Sequence, residues 1–101
     1  MAGVDWEIPL KRVLSRELDR LGLSGYQLLL FGSRARGNAS PVSDIDIGIK
    51  GVEAIPFPLL SELRDAVDNL NLPFKVDLVD MTHVSREFYE HAMEGAIVWK
   101  G

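Results

Sequence analysis

The chain has 101 residues, 47% of them apolar, which is sufficient for a single domain around one hydrophobic core. Its net charge of −4 argues against a general nucleic-acid binder, and the absence of cysteine excludes disulfides and thiolate metal sites. No apolar run approaches the roughly 18 residues that a membrane-spanning helix needs, and the N-terminus lacks a signal peptide's basic start and apolar region. We therefore expect a soluble cytoplasmic protein with one domain over residues 1–101.

The first predicted element is an amphipathic helix that runs from about Trp6 to Leu21. Its apolar side chains recur at helical spacing and form one stripe, made of Leu10, Val13, Leu14, Leu18 and Leu21. Asp5 is a candidate N-cap, and Gly22 is a candidate C′ residue. The basic side chains of this segment alternate with acidic ones, which is typical of a solvated face rather than of a nucleic-acid patch.

Two strands are predicted next, on either side of a glycine- and serine-bearing connection. The apolar run Tyr26–Phe31 is typical of a strand that is covered on both faces. It stops at Gly32, and the connection continues to Pro41 with one short helical turn predicted over Arg34–Gly37. Asp44–Lys50 then alternates acid and isoleucine, which is the period-two pattern of a strand.

The second half of the chain adds two helices and two strands. We expect a helix over Leu59–Leu70, a strand over Phe74–Val79, a helix that Thr82 caps and that ends near Glu94, and a closing strand over Ala96–Trp99. The order α-β-turn-β-α-β-α-β predicts an α/β (α+β) fold, in which a small mixed β-sheet is packed with helices.

Three carboxylates form a candidate metal site. Asp44 and Asp46 are residues i and i+2 of a predicted strand, so they should project to one face, roughly 6.5–7 Å apart. Two ionised carboxylates held close repel, and one pKa rises unless a cation such as Mg²⁺ is present. If the strand that carries Asp77 lies alongside, all three acids could converge and hold two ions about 3.5–4 Å apart. Asp80 is interpreted as a surface or turn carboxylate.

Each of these patterns also has a simpler interpretation. An acid-apolar-acid run is typical of a half-exposed strand, and Ser43–Asp44 alone could cap a turn. Gly32 would let a phosphate approach the backbone and Ser33 offers a hydroxyl and an N–H, yet an ordinary turn also needs small residues. Arg34 and Arg36 are candidates to screen phosphate charge.

The last predicted helix carries histidines and aromatic residues for which we expect no site. His83 and His91 are eight residues apart, so exposed or capping roles are favoured over a metal-ligand pair. The apolar residues of this helix are interpreted as its core face rather than as a ligand cage: Phe88, Tyr89, Ala92 and Met93.

The motif set resembles a known superfamily. The sequence resembles the signature of the DNA polymerase β-like nucleotidyltransferases, which is matched here by Gly32–Ser33, ten further residues and then Asp44–Asp46. The fuller string GSRARGNASPVSDIDIGI is similar to the minimal nucleotidyltransferase (MNT) branch, and Val76–Leu78 stands where the third acid of that branch is expected. The resemblance covers the whole chain and implies a nucleotidyltransferase core.

The resemblance implies transfer of a nucleoside monophosphate, AMP by expectation, from an NTP such as ATP to a hydroxyl, with release of pyrophosphate. Carried onto this sequence, it makes Asp44, Asp46 and Asp77 the catalytic residues and the ligands of two Mg²⁺ ions. The residues that would bind the triphosphate are Gly32 and Ser33, with Arg36 as a further candidate for phosphate contact.

The resemblance also implies a partner. MNT proteins resembling this one are commonly encoded beside a small helical HEPN-type protein, and the two form a toxin–antitoxin pair in which the MNT chain can adenylylate a tyrosine of its partner. We therefore expect the catalytic, antitoxin half of a HEPN–MNT module. The alternative is a non-catalytic binding antitoxin that neutralises its partner by contact.

Overall fold

The computed structural model describes residues 5–37, 40 and 43–100, and these contain four helices and four strands. The helices are α1 (Glu7–Arg20), α2 (Ser33–Arg36), α3 (Phe57–Asp68) and α4 (Arg86–Met93). The strands are β1 (Gln27–Phe31), β2 (Ile45–Lys50), β3 (Val76–Asp80) and β4 (Ile97–Lys100). This order of elements, including the short helical turn, confirms the order that the sequence predicts.

The four strands form one mixed sheet in the order β3-β2-β1-β4. Strand β1 is antiparallel to both β2 and β4, whereas β2 and β3 are parallel. Because β1 and β2 run in opposite directions, the last residue of β1 lies beside the beginning of β2. The parallel strand β3 begins at the same end of the sheet. Residues that are far apart in the sequence therefore meet at this end, which we call the site end.

The apolar patterns of β1 and β2 explain why these strands occupy the middle of the sheet. Four consecutive residues of β1, from Leu28 to Phe31, are buried, as expected for a strand covered on both faces. In β2 the isoleucines Ile45, Ile47 and Ile49 are fully buried, while Asp46 between them is half-buried on the opposite face. The period-two pattern of β2 thus directs its acid away from the isoleucine face.

The chain divides into two compact units. The first unit contains helices α1 and α3. The predicted stripe of α1 is buried at Leu10, Val13, Leu14 and Leu18, and α3 buries Leu63 and Val67. A guanidinium at the end of α1 joins the two helices, since Arg20 donates to Glu17 at 2.7 Å and to Glu62 at 3.1 Å. Arg20 and Glu62 are both about half exposed, so the ion pair between the two helices adds little stability.

The second unit contains the sheet together with α2 and α4. Phe31 at the end of β1, Met81 after β3 and Ala92 of α4 form a buried apolar cluster. Partly buried side chains pack against this cluster: Val79, Val84, Tyr89 and Ala96. The cluster fixes α4 beside the last residue of β1, which is the position that matters for the site.

The beginning of the last helix differs from the sequence prediction. The prediction that Thr82 caps the last helix is wrong, because α4 begins at Arg86 and the Ser85 hydroxyl accepts the N–H of Phe88 at 3.1 Å. Thr82 instead lies in a turn, where its N–H donates to Asp80 Oδ1 at 3.0 Å, and this contact confirms Asp80 as a turn carboxylate. Asp80 also accepts the N–H of Ile55 at 2.8 Å.

The two ends of α1 are closer to expectation. The N–H of Ile8 points to Asp5 Oδ1 at 3.5 Å, although Trp6 occupies the N-cap position itself. Gly22 follows the helix with a φ of 77°, as predicted for the C′ residue. Among the helices of the described residues, none is long and apolar enough to cross a membrane.

Candidate active site

Asp46 and Asp77 are directly paired residues of the neighbouring parallel strands β2 and β3. Ile45 is paired with Val76 and Ile47 with Leu78 in the same register. Paired residues of adjacent strands, which are about 4.8 Å apart, project to the same face of a sheet. The two carboxylates are therefore neighbours at the site end, as expected if the strand of Asp77 lies beside that of Asp46.

The row of paired residues continues onto β1, where Phe31 is the partner of Asp46. Phe31, Asp46 and Asp77 thus stand side by side across three strands on one face of the sheet. We call these three residues the cross-strand row. It brings one aromatic ring and two acids together at the point where β1 ends and the chain turns into α2.

Gly32 is the residue at which β1 gives way to α2, and its backbone lies directly against Asp46. Its φ of 78° and ψ of −159° fall in a region that is essentially restricted to glycine. A Cβ at this position would also collide with the Asp46 carboxylate oxygen Oδ2. Glycine is therefore required here both by the backbone conformation and by the space that the acid occupies.

An open cavity of about 560 Å³ lies over the cross-strand row. The predicted phosphate-binding residues Gly32, Ser33 and Arg36 line it, together with Asp46 and Asp77. The other lining residues come from the sheet and from α4: Phe31, Leu78, Val79, Phe88, His91 and Ala92. The sequence-predicted candidates are thus brought into one cavity, with the exceptions of Asp44 and Arg34.

Asp44 lies outside this arrangement because β2 begins one residue later, at Ile45. The argument that residues i and i+2 share a face holds only within the pleated strand, and Asp44 is exposed just before it. Its charge is nevertheless close enough to act on Asp46. Two of the three predicted acids, Asp46 and Asp77, are therefore neighbours, and Asp44 lies immediately before β2.

The electrostatics of the site are concentrated on Asp46, whose pKa is raised above its ordinary value of 3.8. Burial is the largest cause, and the neighbouring charges of Asp77 and Asp44 raise the pKa further. The cations Arg36 and Lys75 act in the opposite direction, and Lys75 Nζ lies 3.6 Å from Asp77 Oδ1. A half-buried carboxylate that two other carboxylates repel is stabilised by any cation that binds between them.

The donor set suits a hard cation such as Mg²⁺, because the groups that face each other are carboxylate oxygens. The described part of the chain contains no group of three acidic, histidine or cysteine side chains near enough to one another to hold a metal ion. Asp46 and Asp77 are therefore the two carboxylates that the sheet itself presents to the cavity. Substrate phosphates and waters commonly complete the coordination of Mg²⁺.

The two arginines of the turn have different surroundings. Arg36 lines the cavity, and Gly95 leaves room for its aliphatic stem, since a Cβ on Gly95 would come within 3.0 Å of Arg36 Cγ. Arg34 points elsewhere, because its Nε and Nη2 donate to the Ser43 carbonyl at 3.1 and 2.7 Å. Its guanidinium also lies 4.6 Å from the centre of the Phe74 ring. Arg34 therefore braces the segments that precede Asp44 and β3, and it is not among the residues that line the cavity.

Phe88 and His91 are cavity residues that the sequence prediction missed. Phe88 was expected on the core face of the last helix, but its side chain is 41% exposed and lines the cavity. His91, one helical turn later, lies on the same wall. Their spacing in the sequence could have indicated this common position. Phe88, His91 and Ala92 are residues i, i+3 and i+4 of one helix, and such residues share one face.

Comparison with solved structures identifies the fold. A crystal structure of a toxin–antitoxin with AMP-PNP matches 90% of this chain and 73% of its own chain, with a TM-score of 0.69 and 24% identity. A structure of tri-AMPylated Shewanella oneidensis HEPN toxin in complex with MNT antitoxin matches 92% and 71%, with a TM-score of 0.65 and 21% identity. At these identities the similarity establishes a shared fold.

The family model for "Polymerase beta, Nucleotidyltransferase" matches residues 26–100, a span that includes all four strands and the whole candidate site. The chain belongs to this nucleotidyltransferase family, as the motif resemblance implies. A relative from Haemophilus influenzae, named Probable protein adenylyltransferase MntA, is 37% identical over 65 residues. The match covers 64% of this chain and 57% of the relative, so the chain spans little more than half of that protein.

Proposed function

We propose that the protein transfers AMP from ATP to a hydroxyl group of a protein partner. The observation that carries the proposal is the pairing of Asp46 with Asp77, next to the Gly32–Ser33 turn and within one cavity. The relative from Haemophilus influenzae is named an adenylyltransferase, and a structure with the same fold contains AMP-PNP. Both names support ATP as the nucleotide and AMP as the transferred group.

In the proposed reaction, the acceptor oxygen attacks the α-phosphorus of ATP. The bond from that phosphorus to the oxygen bridging to the β-phosphate breaks, and pyrophosphate leaves. Gly32 has no Cβ, so its backbone is open to the triphosphate, and Ser33 adds a hydroxyl and an N–H. Arg36 supplies positive charge on the same wall. These groups act mainly by positioning the phosphates and by stabilising charge.

The acids have separate roles in this proposal. Asp46 and Asp77, with Asp44 immediately before β2, would hold two Mg²⁺ ions, which when bound offset the charge of the triphosphate and of the leaving pyrophosphate. Asp77 also takes the proton of the acceptor hydroxyl. It is the acid suited to this step because its side chain is 41% exposed and the acceptor enters from solvent.

The proposed acceptor is a HEPN-type toxin, which makes this chain the antitoxin half of a HEPN–MNT pair in the cytoplasm. The support is the shared fold with the MNT antitoxin that was solved in complex with tri-AMPylated HEPN toxin. A contact-only antitoxin would not need a cross-strand pair of acids beside an open cavity, so the intact site favours catalysis over that alternative.

A label-transfer assay tests the proposal. The chain is mixed with Mg²⁺, α-labelled ATP and the product of the adjacent gene, which the proposal expects to be a HEPN-type protein. Label should appear on the partner, and Asp46→Asn should lower the rate by about a hundredfold or more. Asp19→Asn makes the same chemical change at an exposed position of α1 and should leave the rate intact. Equal transfer by Asp46→Asn and the parent would contradict the proposed site.

A further inference from the structure

The cavity has a second wall that the chemistry of phosphate transfer leaves unused. Helix α4 contributes Phe88, His91 and Ala92 to it, and these residues share one face of the helix. The acids and the Gly32–Ser33 turn belong to the part of the lining that comes from the sheet and from the turn after β1. The cavity is therefore polar where phosphates would bind and aromatic where α4 covers it.

Phe88 is held in place without being buried. Its ring meets the ring of Phe31 edge to face, with centroids 6.1 Å apart and an angle of 81° between the planes. Its backbone N–H is fixed by the Ser85 cap at the beginning of α4. The side chain nevertheless remains 41% exposed, which leaves apolar aromatic surface facing the cavity. Such a surface is stabilised when a flat apolar ligand covers it.

The cross-strand row connects this aromatic surface to the acids. Asp46 is paired with Phe31 on the neighbouring strand, and the Phe31 ring contacts Phe88. The aromatic wall therefore begins on the strand next to the one that carries Asp46. A nucleotide has the same sequence of chemical groups, because its phosphates and its flat base are separated by a single sugar. The cavity volume of about 560 Å³ is within the range of small-molecule sites.

We propose that Phe88 is the stacking surface for the nucleobase of the bound triphosphate and that His91 lies beside the base on the same wall. This inference rests on the proposed function and names the part of the substrate that α4 recognises. Stacking on an aromatic ring tolerates every base but favours the larger purine face. The wall formed by Phe88 and His91 therefore accounts for binding of a purine nucleotide without any base-specific hydrogen bond.

Binding measurements separate the base from the phosphates. Isothermal titration calorimetry is run with Mg-ATP and with Mg-tripolyphosphate, which has the same phosphate chain but no base. Phe88→Ala should weaken Mg-ATP binding about tenfold and leave Mg-tripolyphosphate binding unchanged. Phe88→Trp keeps an aromatic face and should retain Mg-ATP binding. Phe57→Ala removes an exposed phenylalanine that does not line the cavity, and it should change neither affinity.

Each outcome has a definite meaning. If Phe88→Ala binds Mg-ATP as tightly as the parent, or loses both ligands equally, the stacking proposal is overturned while the proposed function stands. If the parent protein binds neither Mg-ATP nor Mg-tripolyphosphate, the proposed function fails and the inference fails with it. Retained Mg-tripolyphosphate binding also demonstrates that the Phe88→Ala protein is folded.

Discussion

Gly32 and Asp46 are in such close contact that the glycine can carry no side chain. A Cβ on Gly32 would collide with Oδ2 of the acid, and the backbone at Gly32 has a φ of 78°. The last residue of β1 is paired with Asp46, so the turn into α2 starts directly above that carboxylate. The position of the acid and the shape of the turn therefore depend on each other.

Gly32→Ala should damage both stability and activity. The conformation of Gly32 costs on the order of 1–3 kcal/mol for a residue with a Cβ, and the displaced acid should slow transfer by about a hundredfold. Gly37→Ala is the matched control, because Gly37 also has a positive φ of 77° but has open space around it. Unfolding by denaturant and label transfer would measure both effects. Equal losses of transfer in the two variants would refute the close-contact explanation.

Asp46 should destabilise the metal-free fold at neutral pH. Its pKa in the folded protein is above the ordinary value of 3.8, so the folded state binds the proton more tightly than the unfolded state does. The contribution of Asp46 to stability therefore increases as pH falls through the folded-state pKa and is constant well below 3.8. Asp46→Asn should accordingly raise Tm at pH 7 without Mg²⁺, and this gain should shrink toward pH 4.

Thermal unfolding from pH 7 to pH 4 would test this expectation. Each 1 kcal/mol of stabilisation would raise Tm by about 4–8 °C in a domain of this size. The exposed variant Asp19→Asn should stay within about 0.5 kcal/mol of the parent. A lower Tm for Asp46→Asn than for the parent at pH 7 would show that the ionised carboxylate is stabilising after all.

Nucleotide with Mg²⁺ should stabilise the fold through the same acids. A ligand at a hundredfold excess over its Kd adds about 2.7 kcal/mol to the free energy of unfolding. The increase in Tm should appear for the parent and for Asp19→Asn, and it should disappear for Asp46→Asn or when EDTA removes the metal. A shift of the same size in Asp46→Asn would place the nucleotide elsewhere.

Arg34 should act on stability rather than on nucleotide affinity. Its guanidinium holds the Ser43 carbonyl with two hydrogen bonds and covers the Phe74 ring. Arg34→Ala should therefore cost about 1.5–3 kcal/mol, which is the range for hydrogen bonds to charged groups. Arg34→Lys should lie between, because lysine lacks the forked donors. Arg64→Ala, an exposed arginine of α3, should be nearly neutral.

Two measurements distinguish this bracing role from phosphate contact. Unfolding experiments report the loss of the contacts to Ser43 and Phe74, and calorimetry reports the affinity for Mg-ATP. We expect a loss of stability with little change in affinity for Arg34→Lys. The opposite result, an unchanged Tm with a weaker Mg-ATP affinity, would indicate that Arg34 contacts the phosphates.

Local patterns predict much of the fold. The buried run of β1 and the alternation of β2 follow from which side chains a strand can bury, and Gly22 follows from the positive φ that ends α1. The pairing of Asp46 with Asp77 could be anticipated only as a possibility, because it depends on which strands become neighbours. Strand order is set by contacts between distant parts of the chain.

The parts that the sequence predicted poorly depend on such distant contacts or on single-residue boundaries. Thr82 and Ser85 have equivalent capping chemistry, but in the structure the Ser85 hydroxyl caps α4 and the N–H of Thr82 donates to Asp80 in the preceding turn. Asp44 does not line the cavity, because β2 begins one residue later than predicted. Phe88 appears as an ordinary apolar helix residue until the cavity beneath α4 is known.

The strand order also affects how the sheet behaves toward other molecules. Strands β3 and β4 are its outer strands, and the backbone of an outer strand can pair with a strand of another chain. Charged residues oppose such pairing, and β3 carries Asp77 and Asp80, whereas β4 exposes Ile97 and Val98. In the proposed function Asp77 serves the site, and together with Asp80 it should also oppose pairing of β3 with another chain. Neutralising Asp77 should therefore weaken both properties.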